Sequence, residues 1–552
     1  MTIEEAFAQA LRHQLEGRLS EAEAGYRAIL AREPERPVVE FNLGIVLRQL
    51  GRLEEAVHAY QLALALKPLF PEAHNNLGSA LIALGRIDES IVSLRSALAQ
   101  RPSFADAWNN LGAALKSQGK IEDAVACLEK AMRLQPENVS FHSNFVFAQH
   151  YRVGMTPADL LRAASRWNEV YATSLAPGQN SARRPVAADG RLRVGYVSAN
   201  FKTHCQALFT VPLLTNHDHR HHEITCYSDV TNPDDVTVQL QSAADRWRPI
   251  AGLADEQVAE LIRQDGIDVL VDLTLHMSHN RLLVFARKPA PVQVTWLGYP
   301  GTTGLTAMDH RLSDPWLDPE GAGDACYAER TYRLPETFWC YYPLTDTPTV
   351  NPLPATSNGL VTFGSLNNFC KVNHAVLAVW AQVLVAVPRS RLVLLAPPGQ
   401  ARAEVISRLG IGPERVEFVS FQPRLQYLEL YRRIDIGLDT FPYNGHTTSM
   451  DALWMGVPVL TLRGETVVSR AGHSLLANLG LHDWVTDSPE AFVERAVGLA
   501  SGLAELASLR ASLRSRMEKS PLMDAARFAR NIENAYAQLY RQSCARPVAD
   551  PG

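Results

Sequence analysis

The chain has 552 residues, too many for one hydrophobic core and enough for two to four domains. It is 46% hydrophobic and 20% charged, as an ordinary globular protein is, and a net charge of −5 over this length leaves no electrostatic footprint for nucleic acid. Its seven cysteines are odd in number and lack C-x-x-C spacing, which reads as reduced thiols rather than a disulfide framework or a zinc site. The acidic start Met1-Thr2-Ile3-Glu4-Glu5 lacks a signal-peptide pattern, and no apolar run approaches a membrane span, so the expected location is the cytoplasm, with no membrane partner.

The N-terminal quarter repeats with a period of 34 residues: Asn42-Leu43-Gly44, Asn76-Leu77-Gly78 and Asn110-Leu111-Gly112, together with Gly17, Gly51, Gly85 and Gly119, and Pro34, Pro68, Pro102 and Pro136. This is the tetratricopeptide pattern. Apolar residues at helical spacing build two antiparallel helices per unit, the glycine permits the turn, and the proline separates units. Four units are clear to Pro136, and a degenerate fifth holds the phase at Asn144-Phe145 but places its turn glycine one residue late, at Gly154. The repeats are expected over residues 1–171. They form a superhelix in which Asn42, Asn76, Asn110 and Asn144 line the groove as a ladder. Two readings of these asparagines stay open: they hold the backbone of a protein or peptide partner, or they hydrogen-bond between adjacent helices.

Residues 172–190, rich in Ala, Pro, Gly, Ser and Arg, read as a linker. The pattern then becomes α/β. Buried-strand runs are expected at 193–197, 224–227, 269–273 and 292–296, with a helix over 255–264, forming a first Rossmann-like domain over 191–357. A second series, with strands at 360–364, 391–395, 416–419, 434–438 and 458–462 and a helix over 375–387, forms another over 358–545. The proline- and aromatic-rich stretch 335–357 joins the halves, and an amphipathic helix at about 525–541 closes the chain. A ligand cleft is expected at the carboxyl ends of the strands.

After the strand pattern Ile434 to Asp439 comes Asn444-Gly445-His446-Thr447-Thr448-Ser449-Met450-Asp451 and then an amphipathic run. A tight loop leading into a helix N-terminus offers free backbone N–H groups to an anion. The histidines His217, His219, His221 and His222 look metal-like, but they sit in a polar stretch without a nearby cysteine. They are read as a solvated loop.

Five motifs occur in order behind the repeats: Val194-Gly195-Tyr196-Val197-Ser198 with His204; Trp296 to Thr302; Phe363 to Asn368 with Lys371; Asn444 to Asp451; and Gly464-Glu465-Thr466 with Ser469-Arg470. Together they resemble the O-linked N-acetylglucosamine transferase and SPINDLY family of protein glycosyltransferases, and the likeness covers nearly the whole chain. The resemblance implies a tetratricopeptide superhelix followed by a two-domain α/β transferase of GT-B type. It further implies inverting transfer of N-acetylglucosamine from a UDP-sugar to Ser or Thr of protein acceptors, with neither metal nor other cofactor. Donors in the same fold extend to GDP-fucose and UDP-glucose, and a repeat scaffold with a vestigial transferase half is a further alternative.

Chemistry agrees with the resemblance. Expelling a nucleoside diphosphate from a sugar develops negative charge, which Lys371, the N–H and hydroxyl groups of Thr447 and Thr448, and His446 can stabilise. Asp451, one helical turn beyond Thr447, can accept hydrogen bonds from ribose hydroxyls, and Asn368 is assigned to the nucleotide by the family match. His204 corresponds to the family histidine near the reacting centre, a candidate general base with Lys371 as its catalytic counterpart. Two positions depart from the family: Asp268 stands where many members have a histidine, and Tyr427 where animal members have one.

Overall fold

The computed structural model describes residues 1–175, 190–321 and 323–545. The chain divides into two compact units: Met1–Ala148 with 368–370 and 396–407, and Gln149–Asn367 with 371–395 and the residues from Arg408 onward.

The first unit is built from helical pairs: α1 (Ile3–Leu15) with α2 (Leu19–Arg32), α3 (Pro37–Gln49) with α4 (Leu53–Leu66), α5 (Pro71–Ala83) with α6 (Ile87–Gln100), and α7 (Ala105–Ser117) with α8 (Ile121–Leu134). At each turn Gly17, Gly51, Gly85 and Gly119 take positive φ of 73–81°, which a side chain would strain. A second glycine in the repeat has a different task. A Cβ on Gly44, Gly78 or Gly112 would lie 2.5–2.8 Å from Tyr60, Leu94 or Leu128, so these glycines let the paired helices close on each other. The fifth unit follows as α9 (Val139–Gln149) and α10 (Pro157–Tyr171), with Gly154 at φ +83° between them. Periodicity groups α10 with the repeats, whereas compactness groups it with the second unit. There Trp167 is fully buried against His276, and Asn168 accepts from the Thr306 N–H at 3.3 Å.

The asparagine positions are connected across repeats. The amide of Asn110 donates to Asn75 at 2.9 Å, and that of Asn144 donates to Asn109 at 2.9 Å, while Asn42 donates to the Val38 carbonyl within its own helix. Asn76 accepts from Asn75 at 3.3 Å. Part of the ladder's hydrogen-bonding capacity is thus spent between neighbouring repeats, as the second reading of these residues holds. Of the expected linker, 172–175 form a buried residue and a short 3-10 turn, and 176–189 lie outside the described residues.

The second unit holds two parallel sheets. The first runs β3-β2-β1-β4-β5-β6-β7, from β1 (Leu192–Ser198), β2 (His222–Ser228), β3 (Arg246–Pro249), β4 (Val269–Asp272), β5 (Val292–Thr295), β6 (His310–Ser313) and β7 (Arg330–Arg333). The other runs β10-β9-β8-β11-β12-β13, from β8 (Val361–Ser365), β9 (Ser390–Leu395), β10 (Val416–Val419), β11 (Ile436–Leu438), β12 (Val459–Leu462) and β13 (Val485–Thr486). Both have the strand order of a nucleotide-binding doubly wound fold, whose switch points fall between β1 and β4 and between β8 and β11.

The apolar-run reading misses β3, β6, β7 and β13. Three of these are polar or exposed edge strands, and β6 buries its polar residues by pairing them: Arg311 meets Asp318 at 2.8 Å with both side chains shut off from solvent. The stretch after Pro335 is no open connector. Phe338, Trp339, Cys340 and Tyr341 are all at most 1% exposed, and the closing helix Ala525–Ala545 returns to the first sheet through Phe528 on Trp296 and Glu533 on His217.

That last contact corrects the histidine-rich stretch. His219 and His221 are solvated, but His217 is buried, with Nε2 2.9 Å from the Tyr196 hydroxyl and Nδ1 2.9 Å from Glu533. The closing helix supplies a carboxylate that no local pattern announces. Asp268 is likewise structural, since it holds the Arg193 guanidinium through both oxygens at 2.9 and 3.1 Å.

Candidate functional site

The segment after β11 turns through Thr440–His446 and enters the helix Thr447–Trp454. Its cap residue, His446, makes no side-chain capping bond, so the first-turn N–H groups face outward without a local acceptor from that side chain. The loop is tied down from behind. Asp439, fully buried, accepts from the Gly445 N–H at 2.6 Å, the Thr440 N–H at 2.8 Å and the Thr461 hydroxyl at 2.7 Å. Burial pushes its carboxyl up to about 6, against the opposing pull of the Gly445 bond, the Thr461 bond and the Lys371 charge. Asn444 donates to the Thr440 carbonyl at 2.8 Å, closing the turn on itself.

Lys371 reaches this loop from the end of the short turn after β8. Its Nζ donates to the Asn444 carbonyl at 2.7 Å and stands 4.3 Å above the Tyr443 ring. Thr448 donates to Asn367 Oδ1 at 2.6 Å, and its carbonyl accepts from Tyr431, whose hydroxyl lies 2.7 Å from that of Tyr427. A Cβ on Gly445 would overlap the Ser449 hydroxyl and stand 2.9 Å from Thr448 Oγ1 and 3.1 Å from Asn367 Oδ1; only glycine fits there. His446 packs between Trp339 at 5.2 Å and Tyr443 at 5.0 Å, and burial together with the Lys371 charge holds its imidazole well below the usual range, hence neutral.

Lys371, His446, Thr447 and Thr448 therefore converge on one helix start. Asp451 does not present itself as a ribose acceptor. Only 1% exposed, it takes Arg424 through both oxygens at 2.6 and 2.7 Å and the Tyr341 hydroxyl at 2.7 Å. The sequence pattern could not foresee this, because Arg424 comes from the start of the helix Arg424–Leu430 and Tyr341 from the domain connector. Asn368 is exposed and lies in the first unit, where its Oδ1 accepts from the Cys370 N–H.

His204 follows β1 at the carboxyl edge of the first sheet. Burial and the Lys202 charge lower its imidazole to about 4. Its Nδ1 accepts from the Gln206 N–H at 3.3 Å, which puts the ring proton of the neutral form on Nε2. Burial raises the thiol of the next residue, Cys205, and the Lys371 charge opposes that rise. The sheets are pinned to each other nearby: Ser474 donates to buried Asp314 at 2.6 Å, and Arg470 reaches Asp318 at 3.1 Å. Tyr443, Trp339, Tyr341 and Arg424 pack on these residues but fall outside the motifs, and Asn367, inside one of them, shows its part only through its contact with Thr448.

Repeats followed by twin Rossmann-like domains of GT-B type, with Lys371 beside a helix start at the second switch point, define a class of nucleotide-using transferase architectures. The glycosyl transferase family 41 profile matches residues 171–342 and 352–532, and tetratricopeptide profiles match 44–82, 78–119 and 105–138. The chain belongs to glycosyl transferase family 41.

It is 38% identical over 422 residues to the probable UDP-N-acetylglucosamine–peptide N-acetylglucosaminyltransferase SPINDLY of Solanum lycopersicum, covering 74% of this chain and 45% of that one. It is 31% identical to the probable UDP-N-acetylglucosamine–peptide N-acetylglucosaminyltransferase SEC of Arabidopsis thaliana, over 67% of this chain and 39% of that one. The chain thus spans less than half the length of these curated relatives. Among solved structures, a lysine-to-methionine mutant of Thermobaculum terrenum O-GlcNAc transferase is similar with a TM-score of 0.86 and 35% identity, covering 92% of this chain and 98% of that one. No helix among the described residues is long and apolar enough to cross a membrane.

Proposed function

We propose that this chain is an inverting protein O-glycosyltransferase that moves N-acetylglucosamine from UDP-N-acetylglucosamine to Ser or Thr hydroxyls, using neither a metal ion nor another cofactor. The observation that carries this reading is the convergence of Lys371 with the N-terminus of Thr447–Trp454. In the reaction the acceptor oxygen bonds to the anomeric carbon as the bond to the diphosphate oxygen breaks; the electron pair stays on the diphosphate, and the hydroxyl proton leaves to water. Lys371 and the first-turn N–H and hydroxyl groups meet the charge that develops there, in the transition state more than in the ground state. This supply of positive charge is what supports a metal-independent reaction.

His204 enters as a neutral side chain. With its proton on Nε2 it donates a hydrogen bond toward the reacting centre, and the general-base role implied by the resemblance needs the other tautomer. Protein acceptors reach the site with help from the repeat groove. Asn42, Asn76, Asn110 and Asn144 are its proposed contacts, working with whatever capacity the inter-repeat bonds leave.

The test is a donor panel of UDP-N-acetylglucosamine, UDP-glucose and GDP-fucose with protein acceptors. Transferred sugar and linkage are read by mass spectrometry, anomeric configuration by NMR, and turnover is compared with and without chelator. Transfer of N-acetylglucosamine to Ser or Thr with inversion, unaffected by chelator, is expected. Preference for GDP-fucose refutes the donor assignment, and normal turnover by Lys371→Ala refutes the mechanism.

A further inference from the structure

The turn after α9 does something the repeat pattern does not require. Tyr151, 7% exposed, stacks on Tyr443 with ring centroids 4.9 Å apart and planes 12° from parallel. Tyr443, 5% exposed, is the ring beneath the Lys371 ammonium, and the residue after it supplies the carbonyl that the ammonium bonds. The Asn444 carbonyl and the Tyr443 ring, two of the groups that hold the lysine, therefore hang on one dipeptide. This dipeptide lies in a loop without regular secondary structure.

A lysine ammonium rides on a flexible four-carbon stem, so its position is only as well defined as the groups it touches. If the Tyr443 ring tilts, the π face moves from under the charge and the adjoining carbonyl moves with it. A near-parallel aromatic partner restricts that tilt, because turning one ring against the other gives up the close contact between their faces. The stacking partner comes from the neighbourhood of the last repeat. His150, the residue before Tyr151, packs edge-on to Tyr299 at 4.7 Å, so the turn itself is anchored in the first Rossmann-like domain.

We propose that Tyr151 is a positioning residue for Lys371: it sets the Tyr443-Asn444 platform and through it the cation that meets the donor diphosphate. The inference rests on the donor reading above and adds a residue from outside both nucleotide-binding domains.

The experiment titrates UDP and GDP, separately, into the full chain by calorimetry and compares wild type, Tyr151→Leu, Tyr151→Phe, Lys371→Met and the Tyr151→Leu/Lys371→Met double variant. For the nucleotide that wild type binds more tightly, Tyr151→Leu is expected to weaken affinity about fivefold, while Tyr151→Phe, which keeps the flat ring, stays within about twofold of wild type. On the Lys371→Met background, Tyr151→Leu is expected to cost nothing further. Wild-type affinity in Tyr151→Leu, or an equal loss with and without Lys371, overturns the inference. Binding of neither nucleotide by the wild-type chain overturns the donor reading together with the inference, whereas normal wild-type binding with an unaffected Tyr151→Leu overturns the inference alone. Should Tyr151→Leu fail to fold, Tyr151→Met carries the same expectations.

Discussion

Gly445→Ala probes the proposed diphosphate loop by adding a single methyl group. The new Cβ would overlap the Ser449 hydroxyl and lie 2.9 Å from Thr448 Oγ1 and 3.1 Å from Asn367 Oδ1, while the Gly445 N–H stays tethered to Asp439 at 2.6 Å. The backbone therefore cannot retreat without losing that bond. The Ser449 hydroxyl, buried without a hydrogen-bond partner, can rotate away at small cost. Thr448 cannot, because its hydroxyl is committed to Asn367 at 2.6 Å.

Overpacking of this kind costs about 1–3 kcal/mol. Loss of the Thr448–Asn367 bond adds about 0.5–1.5 kcal/mol. A total of about 2–4 kcal/mol is expected in urea denaturation, and nucleoside diphosphate binding should weaken about tenfold as the first helical turn is displaced. Adding Ser449→Ala separates the two contacts: it should recover part of the stability and little of the binding. Wild-type affinity in Gly445→Ala, or full rescue of binding by Ser449→Ala, would refute the placement of the anion site at Thr448.

Two further outcomes are expected from the charges behind the loop. Arg424→Ala strands the Asp451 carboxylate in a site only 1% exposed, with Tyr341 as its remaining bonded partner among those described above, and should cost about 3 kcal/mol. That figure sits at the low end for buried pairs because Arg424 itself is about one quarter exposed. Arg424→Lys should recover only part, having no fork to match both oxygens, whereas Asp451→Asn on the Arg424→Ala background should recover more. A loss below about 1 kcal/mol in Arg424→Ala would show that the pair does not hold the helix.

The third concerns pH. Asp439, raised to about 6 by burial, favours the protonated form in the fold relative to an unfolded carboxyl near 4. Its contribution is full below about pH 4 and is lost as pH rises through about 6, on the order of 3 kcal/mol. Asp439→Asn still accepts from the Gly445 and Thr440 N–H groups and should flatten this part of the stability–pH curve, measured by urea midpoints from pH 4 to 7. An unchanged slope would refute the assignment.

Much of this architecture is written locally. A 34-residue period with glycine at each turn specifies stacked helix pairs, because each unit can bury its apolar face only on its neighbours. Continuous apolar runs announced β1, β2, β4, β5 and β8–β12, since central parallel strands are covered on both faces. The start of the helix Thr447–Trp454 was legible for a local reason too: the first turn of a helix has N–H groups without intrahelical acceptors wherever the rest of the chain goes.

What the sequence by itself determined is thus the order of elements and the functional groups that Lys371, Thr447 and Thr448 offer. Tertiary structure alone decided which partners those groups have. Asp451 reads as an open acceptor until the Arg424 guanidinium and the Tyr341 hydroxyl, 27 and 110 residues away along the chain, arrive on its two oxygens. His217 reads as solvated until Glu533 reaches it from the closing helix. Tyr151 lies in the turn of the fifth repeat, and only the fold stacks it on Tyr443. The physical reason is common to all three: burial, charge pairing and ring stacking are set by groups far apart in sequence, and no local pattern carries the distance between them.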